Sequence, residues 1–184
     1  MTNIQDWARM QTNRPLLTGE AVNWACAATD SWQLPFHPDR NKNWDSLLAV
    51  ANAVRTTNKD DPVLDAGACR HSAFLPGLKK MGFSDLRGIN LLEGQPQHVE
   101  GIWYEYGDIT DIPVRDNFFA FVACLSVIEH EVNWETFIKE MARVIKPGGH
   151  LFVSMDYWDT HPYSRNARGG PPASTLQLFS AQEA

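Results

Sequence analysis

Residues 62–71, Pro-Val-Leu-Asp-Ala-Gly-Ala-Cys-Arg-His, hold the densest chemistry in this chain. A short apolar strand is predicted to end at Asp65. One small residue follows, then Gly67 opens a tight turn, and an amphipathic segment begins within a few residues. An acid, a glycine turn and a helix N-terminus at the end of a strand make a cradle for a small molecule. The glycine lets the backbone approach the ligand, and the helix end offers free N–H groups. About 23 residues beyond Gly67 a second predicted strand ends at Asn90. Nucleotide-binding α/β folds place an acid near that distance to grip ribose hydroxyls. An amide can donate and accept there without carrying charge, and Glu93 stands three residues on as a second candidate. After a third strand comes Gly107-Asp108-Ile109. A carboxylate beside an apolar residue suits an adenine, accepting from its exocyclic amine while Ile109 packs on the ring; the alternative for Asp108 is a turn or capping residue. His130, in Ile128-Glu129-His130-Glu131 just past a fourth strand, has the pKa range of a general base, and Glu129 shares that candidacy.

The elements that position these residues follow from hydrophobic spacing. Residues 1–60 read as helices and loops, with the clearest helix over Trp44 to Arg55, where Leu47, Leu48, Ala51 and Val54 share a face and Asn43 or Asp45 caps the start. Trp7, Trp24, Trp32 and Trp44 are expected to pack this helical layer onto the main body. From Asp61 onward strands and helices alternate. Strands are expected at Val63 to Asp65, Leu86 to Asn90, Ile102 to Tyr106, Phe118 to Leu125 and Leu151 to Met155. Helices carry Phe74, Leu75, Leu78 and Met81 on one face, ending at Gly82, and Phe137, Ile138, Met141, Val144 and Ile145 on another, with Glu135 and Lys139 spaced for an ion pair. Lys146-Pro147-Gly148-Gly149 is expected to terminate the second of these. Such alternation means a parallel sheet between helices. Residues 156–179 read as a Pro/Gly-rich loop, and Ser180-Ala-Gln-Glu183 has the form of a capping box that announces a further helix just before the chain stops.

The chain has 184 residues and a formal net charge of −6, enough for one domain with a real core and the wrong sign for a nucleic-acid backbone as main partner. No apolar run approaches the ~20 residues of a membrane span, and no secretion signal is visible. Cys26, Cys69 and Cys124 are widely spaced, so neither a disulfide framework nor a metal site is expected, and a cytoplasmic location fits.

With these elements in order, residues 61–156 or so resemble the class I S-adenosylmethionine-dependent methyltransferases of the small-molecule type. The likeness lies in VLDAGACRHSAFL, RGINLLE, YGDITDIP, FFAFVACLSVIEH and VIKPGGHLFVS. The family's first motif is D/E-x-G-x-G-x-G; this chain keeps Asp65 and Gly67 but has Cys69 and His71 at the second and third glycines. The resemblance implies an α/β, Rossmann-like three-layer sandwich whose mostly parallel sheet holds about five of the family's seven strands (order 3-2-1-4-5-7-6), hence a chain truncated at its C-terminus. Residues 1–60 would form an N-terminal helical cap, in which His37, Arg40 and Trp44 either close over an acceptor or pack as a loop against the sheet end, and residues 61–184 the cofactor-binding domain. S-adenosyl-L-methionine, leaving as S-adenosyl-L-homocysteine, would lie across the C-terminal ends of strands one to four. The Asp65, Gly67 and Cys69 loop would meet its methionine part, Asn90 and Leu91 the ribose, Asp108 and Ile109 the adenine, and Leu125 and Ser126 the sulfonium. The Glu-His pair recurs in the family irrespective of substrate, which suggests a structural or cofactor-side role beside the base role. The implied function is methyl transfer to a small molecule, with no nucleic-acid or membrane partner; the fourth strand lacks the Asn-Pro-Pro-Tyr-like signature of amino-group methylation on bases and glutamine. A fifth strand left at the sheet edge, with Leu151, Phe152 and Val153, or the adjacent helix face, is expected to be covered by a second copy in a homodimer or by the 156–179 tail. The alternative is a degenerate, non-catalytic remnant, to which Cys69, His71 and Asn90 point. A nicotinamide-dependent oxidoreductase fails because Gly67 to Ser72 lacks two of the three fingerprint glycines.

Overall fold

Period-two alternation decides the middle of the sheet. The computed structural model describes residues 4, 16, 18–69, 71–91, 94, 96–158 and 179–180. Strands β1 (Val63–Ala66) and β5 (Phe119–Leu125) are buried along almost their whole length, as strands covered on both faces must be. Val63, Phe121 and Ala123 enter one apolar cluster with Leu47, Leu48, Phe74 and Leu78. Leu64, Ala66, Val122 and Cys124 enter a second with Phe137, Met141 and Val144. The first cluster is built on α1 (Gly19–Ser31), α2 (Lys42–Thr56) and α3 (Phe74–Lys80), the second on α4 (Trp134–Val144). Helices therefore cover both faces of one sheet, the three-layer arrangement expected.

Strand β2 (Leu86–Asn90) lies parallel to β1, and β4 (Ile102–Tyr106) parallel to β2. On the other side β5 lies parallel to β1, and β6 (Ile145–Ser154) parallel to β5. A short β3 (Gln97–Val99) joins β4 antiparallel, so the order is β3-β4-β2-β1-β5-β6. A separate two-residue pair joins β7 (Tyr157–Trp158) to β8 (Phe179–Ser180) in parallel. Among the described residues no helix is long and apolar enough to cross a membrane.

The five expected strands are present in the expected order, with the following departures. Strand β3 is additional. Its hairpin turns at Glu100 and Gly101, both at positive φ (51° and 82°), the geometry of a type I′ turn whose twist suits paired strands. Strand β6 begins at Ile145, so Lys146-Pro147-Gly148-Gly149 lies inside a strand rather than closing a helix. The ladder slips between Phe119 and Phe121, and β6 is the last strand of its sheet, where proline and irregular backbone are tolerated. Leu151 is exposed on this strand. Helix α2 starts at Lys42, so neither Asn43 nor Asp45 caps it; both are buried, and the Asn43 amide instead donates to the carbonyls of His37, Asp39 and Arg40. Ser180 belongs to β8, and the residues that would follow it in the expected helix, with Trp7, Glu93 and residues 159–178 and 181–184, lie outside the described residues. Trp32 and Trp44 pack against the first cluster, whereas Trp24 is exposed.

The ion pairing of α4 runs through Arg143, not through the exposed Glu135 and Lys139. The Arg143 guanidinium donates to both oxygens of the buried Glu140 (2.8 and 2.6 Å), to the Ile112 and Val114 carbonyls and to Asp116. Glu140 also accepts from the Ile112 N–H at 2.6 Å. This clamp fixes the loop between β4 and β5. Arg143→Ala is expected to cost roughly 2–3 kcal/mol in urea denaturation, below the full cost of a wholly buried pair because Arg143 is 32 % exposed.

Candidate active site

Parallel pairing brings the C-terminal ends of β1, β2, β4 and β5 side by side, and the site is assembled there from the loops that leave them. Asp65 is 2 % exposed, and its Oδ2 accepts from the Ser72 hydroxyl at 2.6 Å. Burial pushes its carboxyl up to about 7; the Ser72 hydrogen bond opposes that rise and the nearby Asp45 carboxylate adds to it. Gly67 adopts φ +94° and donates its N–H to the Ile89 carbonyl at 2.8 Å. A Cβ at that position would fall 2.4 Å from a Val127 methyl, so the turn at the end of β1 is packed directly on the loop after β5. The Asn90 amide donates to the carbonyls of Gly67 and Ala68 (3.0 and 2.9 Å), holding the turn against the end of β2. Cys69 is exposed, and its carbonyl accepts from Ser72 N–H at 2.9 Å. Helix α3 starts only at Phe74 and is seven residues long, so the anion-binding helix end expected just after Gly67 does not form there.

At the next strand ends Leu91 (57 % exposed) and Tyr106 (59 %) are large side chains left uncovered beside Asp108. Asp108 Oδ1 accepts from the Thr110 N–H and hydroxyl at 2.8 and 2.7 Å, the turn role weighed for it, while the rest of its side chain is exposed. Ile109 is buried in the second apolar cluster. A carboxylate with an uncovered apolar rim fits the adenine end of an adenosyl cofactor. At the ribose end the Asn90 N–H groups are committed to the loop.

Past β5, Leu125 and Ser126 are half-buried, and Ser126 sits at φ +54°. Its hydroxyl accepts from the Lys42 ammonium, and its N–H donates to the Ser154 carbonyl at 2.9 Å. His130 is exposed; Glu129 before it is 1 % exposed, with Oε1 accepting from the Asp156 N–H at 3.3 Å and Oε2 without a partner. Lys42 also lies 3.6 Å from Asp156, and Asp45 Oδ2 accepts from the Ser154 hydroxyl at 2.8 Å. Burial raises both the Asp45 and Glu129 carboxyls. Lys42, Asp45, Ser154 and Asp156 gather at this strand end, although sequence spacing did not bring them together. The available signal was a carboxylate on the apolar stripe of α2, since Asp45, Leu48, Ala49 and Asn52 are all buried. His37 and Arg40 are engaged locally, with the Asp39 backbone and with Asn23.

Comparison with known proteins gives the arrangement a family. Residues 64–153 match the family described as "Methyltransferase domain". Over that stretch the chain is similar to a methyltransferase domain. Over 94 residues the chain is 30 % identical to norajmaline N-methyltransferase of Rauvolfia serpentina, an alignment covering 47 % of this chain and 31 % of that enzyme. The fold is similar to YcgJ of Bacillus subtilis (TM-score 0.52, 20 % identity, 61 % of this chain and 50 % of the other). It is also similar to an S-adenosylmethionine-dependent methyltransferase of Thermotoga maritima (TM-score 0.52, 18 % identity, 89 % and 73 %). The matched stretch runs from the strand of Asp65 to the edge strand β6.

Proposed function

We propose that this methyltransferase binds S-adenosyl-L-methionine across the ends of β1, β2, β4 and β5 and methylates a small-molecule acceptor. The observation that carries the reading is the Gly67 turn, held by Asn90 at the end of β1, with Asp108 exposed two strands away beside an uncovered apolar rim. In this reading the Asp65, Gly67 and Cys69 loop faces the methionine part and Asn90 and Leu91 the ribose. Asp108 faces the adenine, with the turn at Ile109 set from beneath by that residue's buried side chain, and Leu125 and Ser126 face the sulfur. When bound, the cofactor supplies an electrophilic methyl group on a sulfonium. The protein's part is to align the acceptor in line with it and keep water out, which for ideal alignment lowers a barrier by ~7–11 kcal/mol. Residues 1–60 serve as the cap on the acceptor side, through α2, and His130 is the candidate base for acceptors that must lose a proton. The three unbridged thiols accord with a cytoplasmic setting.

Calorimetry with S-adenosyl-L-homocysteine tests this. Micromolar binding is expected, and Asp108→Ala should weaken it by about tenfold or more, the factor of one hydrogen bond to a charged group. Absence of binding at millimolar ligand would favour the degenerate remnant instead.

A further inference from the structure

Glu129 is the one buried polar group that the fold leaves unsatisfied among the described residues. It is 1 % exposed, one oxygen accepts a long hydrogen bond from the Asp156 backbone, and Oε2 has no partner. A carboxylate oxygen with no partner in so dry a place carries a desolvation cost that a native fold normally avoids. The groups around it are unbalanced in charge. The charged side chains that act on Glu129 are Asp156 and Lys42. Asp45 stands on α2 one turn from Lys42, with its own burial raising its carboxyl. Three carboxyl groups thus stand around one ammonium, with His37 acting on Asp45 alone, and that ammonium is already bonded to Ser126 and paired with Asp156. The cover is light: the Lys42–Asp156 contact is 3.6 Å long, and the Asp156 side chain is 74 % exposed. Among the described residues no three carboxylate, imidazole or thiol groups converge closely enough to hold a metal ion.

We infer that the corner between the start of α2, the end of β5 and the end of β6 is the acceptor subsite, and that Glu129 Oε2 receives the N–H of a basic organic amine there. This rests on the proposed methyl-transfer reading, because Ser126, bonded to Lys42, is the residue that reading sets beside the reacting methyl. An organic ammonium supplies what the corner lacks, a positive charge and a donor for the orphaned oxygen; before its nitrogen lone pair can take the methyl it gives up one proton, and Glu129 Oε2 is the acceptor for it. It reaches Glu129 by displacing the Lys42–Asp156 contact. A neutral acceptor of the same shape supplies neither, so the subsite selects amines over alcohols and over carboxylates.

The test uses the full chain with carbon-13-labelled glutamate side chains, saturated with S-adenosyl-L-homocysteine, and benzylamine and benzyl alcohol as probes. The Glu129 carboxyl resonance is the one missing from Glu129→Gln. It is expected to move saturably with benzylamine and at least about tenfold more weakly, in apparent affinity, with benzyl alcohol. Should that variant not fold, Glu129→Asp identifies the resonance by its loss from the glutamate-labelled spectrum. If S-adenosyl-L-homocysteine binds and the Glu129 signal ignores benzylamine, or responds equally to both probes, the amine subsite is overturned and the methyl-transfer reading stands. If S-adenosyl-L-homocysteine itself fails to bind, the methyl-transfer reading falls and takes this inference with it.

Discussion

Gly67→Val is expected to abolish S-adenosyl-L-homocysteine binding and to lower stability by about 2–5 kcal/mol. Two costs add. A side chain held at φ +94° pays a left-handed backbone penalty of roughly 1–2 kcal/mol. Its Cβ would lie 2.4 Å from Val127 Cγ2, and overpacking of that kind costs roughly 1–3 kcal/mol. Relief of the overlap would push Val127 and the adjoining Ser126 away from the end of β1, opening the proposed site at its centre. At about 2–4 °C per kcal/mol for a chain of this size, the melting temperature should fall by roughly 4–20 °C. Val127→Ala in the Gly67→Val background should recover part of that loss, because it removes the overlap and leaves the backbone strain. Equal melting temperatures for single and double variants would show that the turn and the β5 loop are not packed as described.

The second large effect is on pH dependence. The Asp65 carboxyl stands at about 7 in the folded chain against an ordinary 3.8. Between those values the native state holds a proton that the unfolded chain has released. Stability therefore falls as pH rises through this window, by on the order of 4 kcal/mol from this group. Asp45 and Glu129, both raised by burial, contribute with the same sign. Asp61, lowered mainly by its hydrogen bond from Lys146, and Glu140, lowered mainly by Arg143, act oppositely. Their contributions are present above the ordinary carboxylate range and are lost as acid protonates them. Maximum stability is expected in mild acid, near pH 4–5. Asp65→Asn keeps an acceptor for Ser72 and removes the charge, so urea midpoints of the variant should exceed the parent's at pH 8 and vary less between pH 4.5 and 8. Parallel profiles for the two proteins would contradict the assignment.

How far the sequence could be read follows from the range of each interaction. Strands β1 and β5 are legible because burial on both faces demands apolar runs, and β2 and β4 because buried positions recur between half-exposed ones; both signals are local. Strand β3 is not, because Glu100 takes a left-handed position where Asn or Asp would have marked the turn. The start of β6 is hidden by Pro147 and Gly148, which read as breakers and are accommodated only because the strand is an edge. The strand-end residues Asp65, Gly67, Asn90 and Asp108 stand where spacing put them, while the partner that Asn90 chooses, the backbone of the neighbouring turn, depends on register between strands. The Lys42–Ser126 and Asp45–Ser154 contacts span 84 and 109 residues, a separation at which no motif spacing informs.

The central position of β1 also shapes how the chain matures on the ribosome. Its residue Val63 is bordered by Leu86 on one side and Phe121 on the other. At roughly 5–20 residues per second of synthesis, the second neighbour arrives seconds after the first. Through that interval the most apolar seam of the nascent domain has an open flank, and chaperone demand should be concentrated there, easing once Phe119–Leu125 clears the exit tunnel.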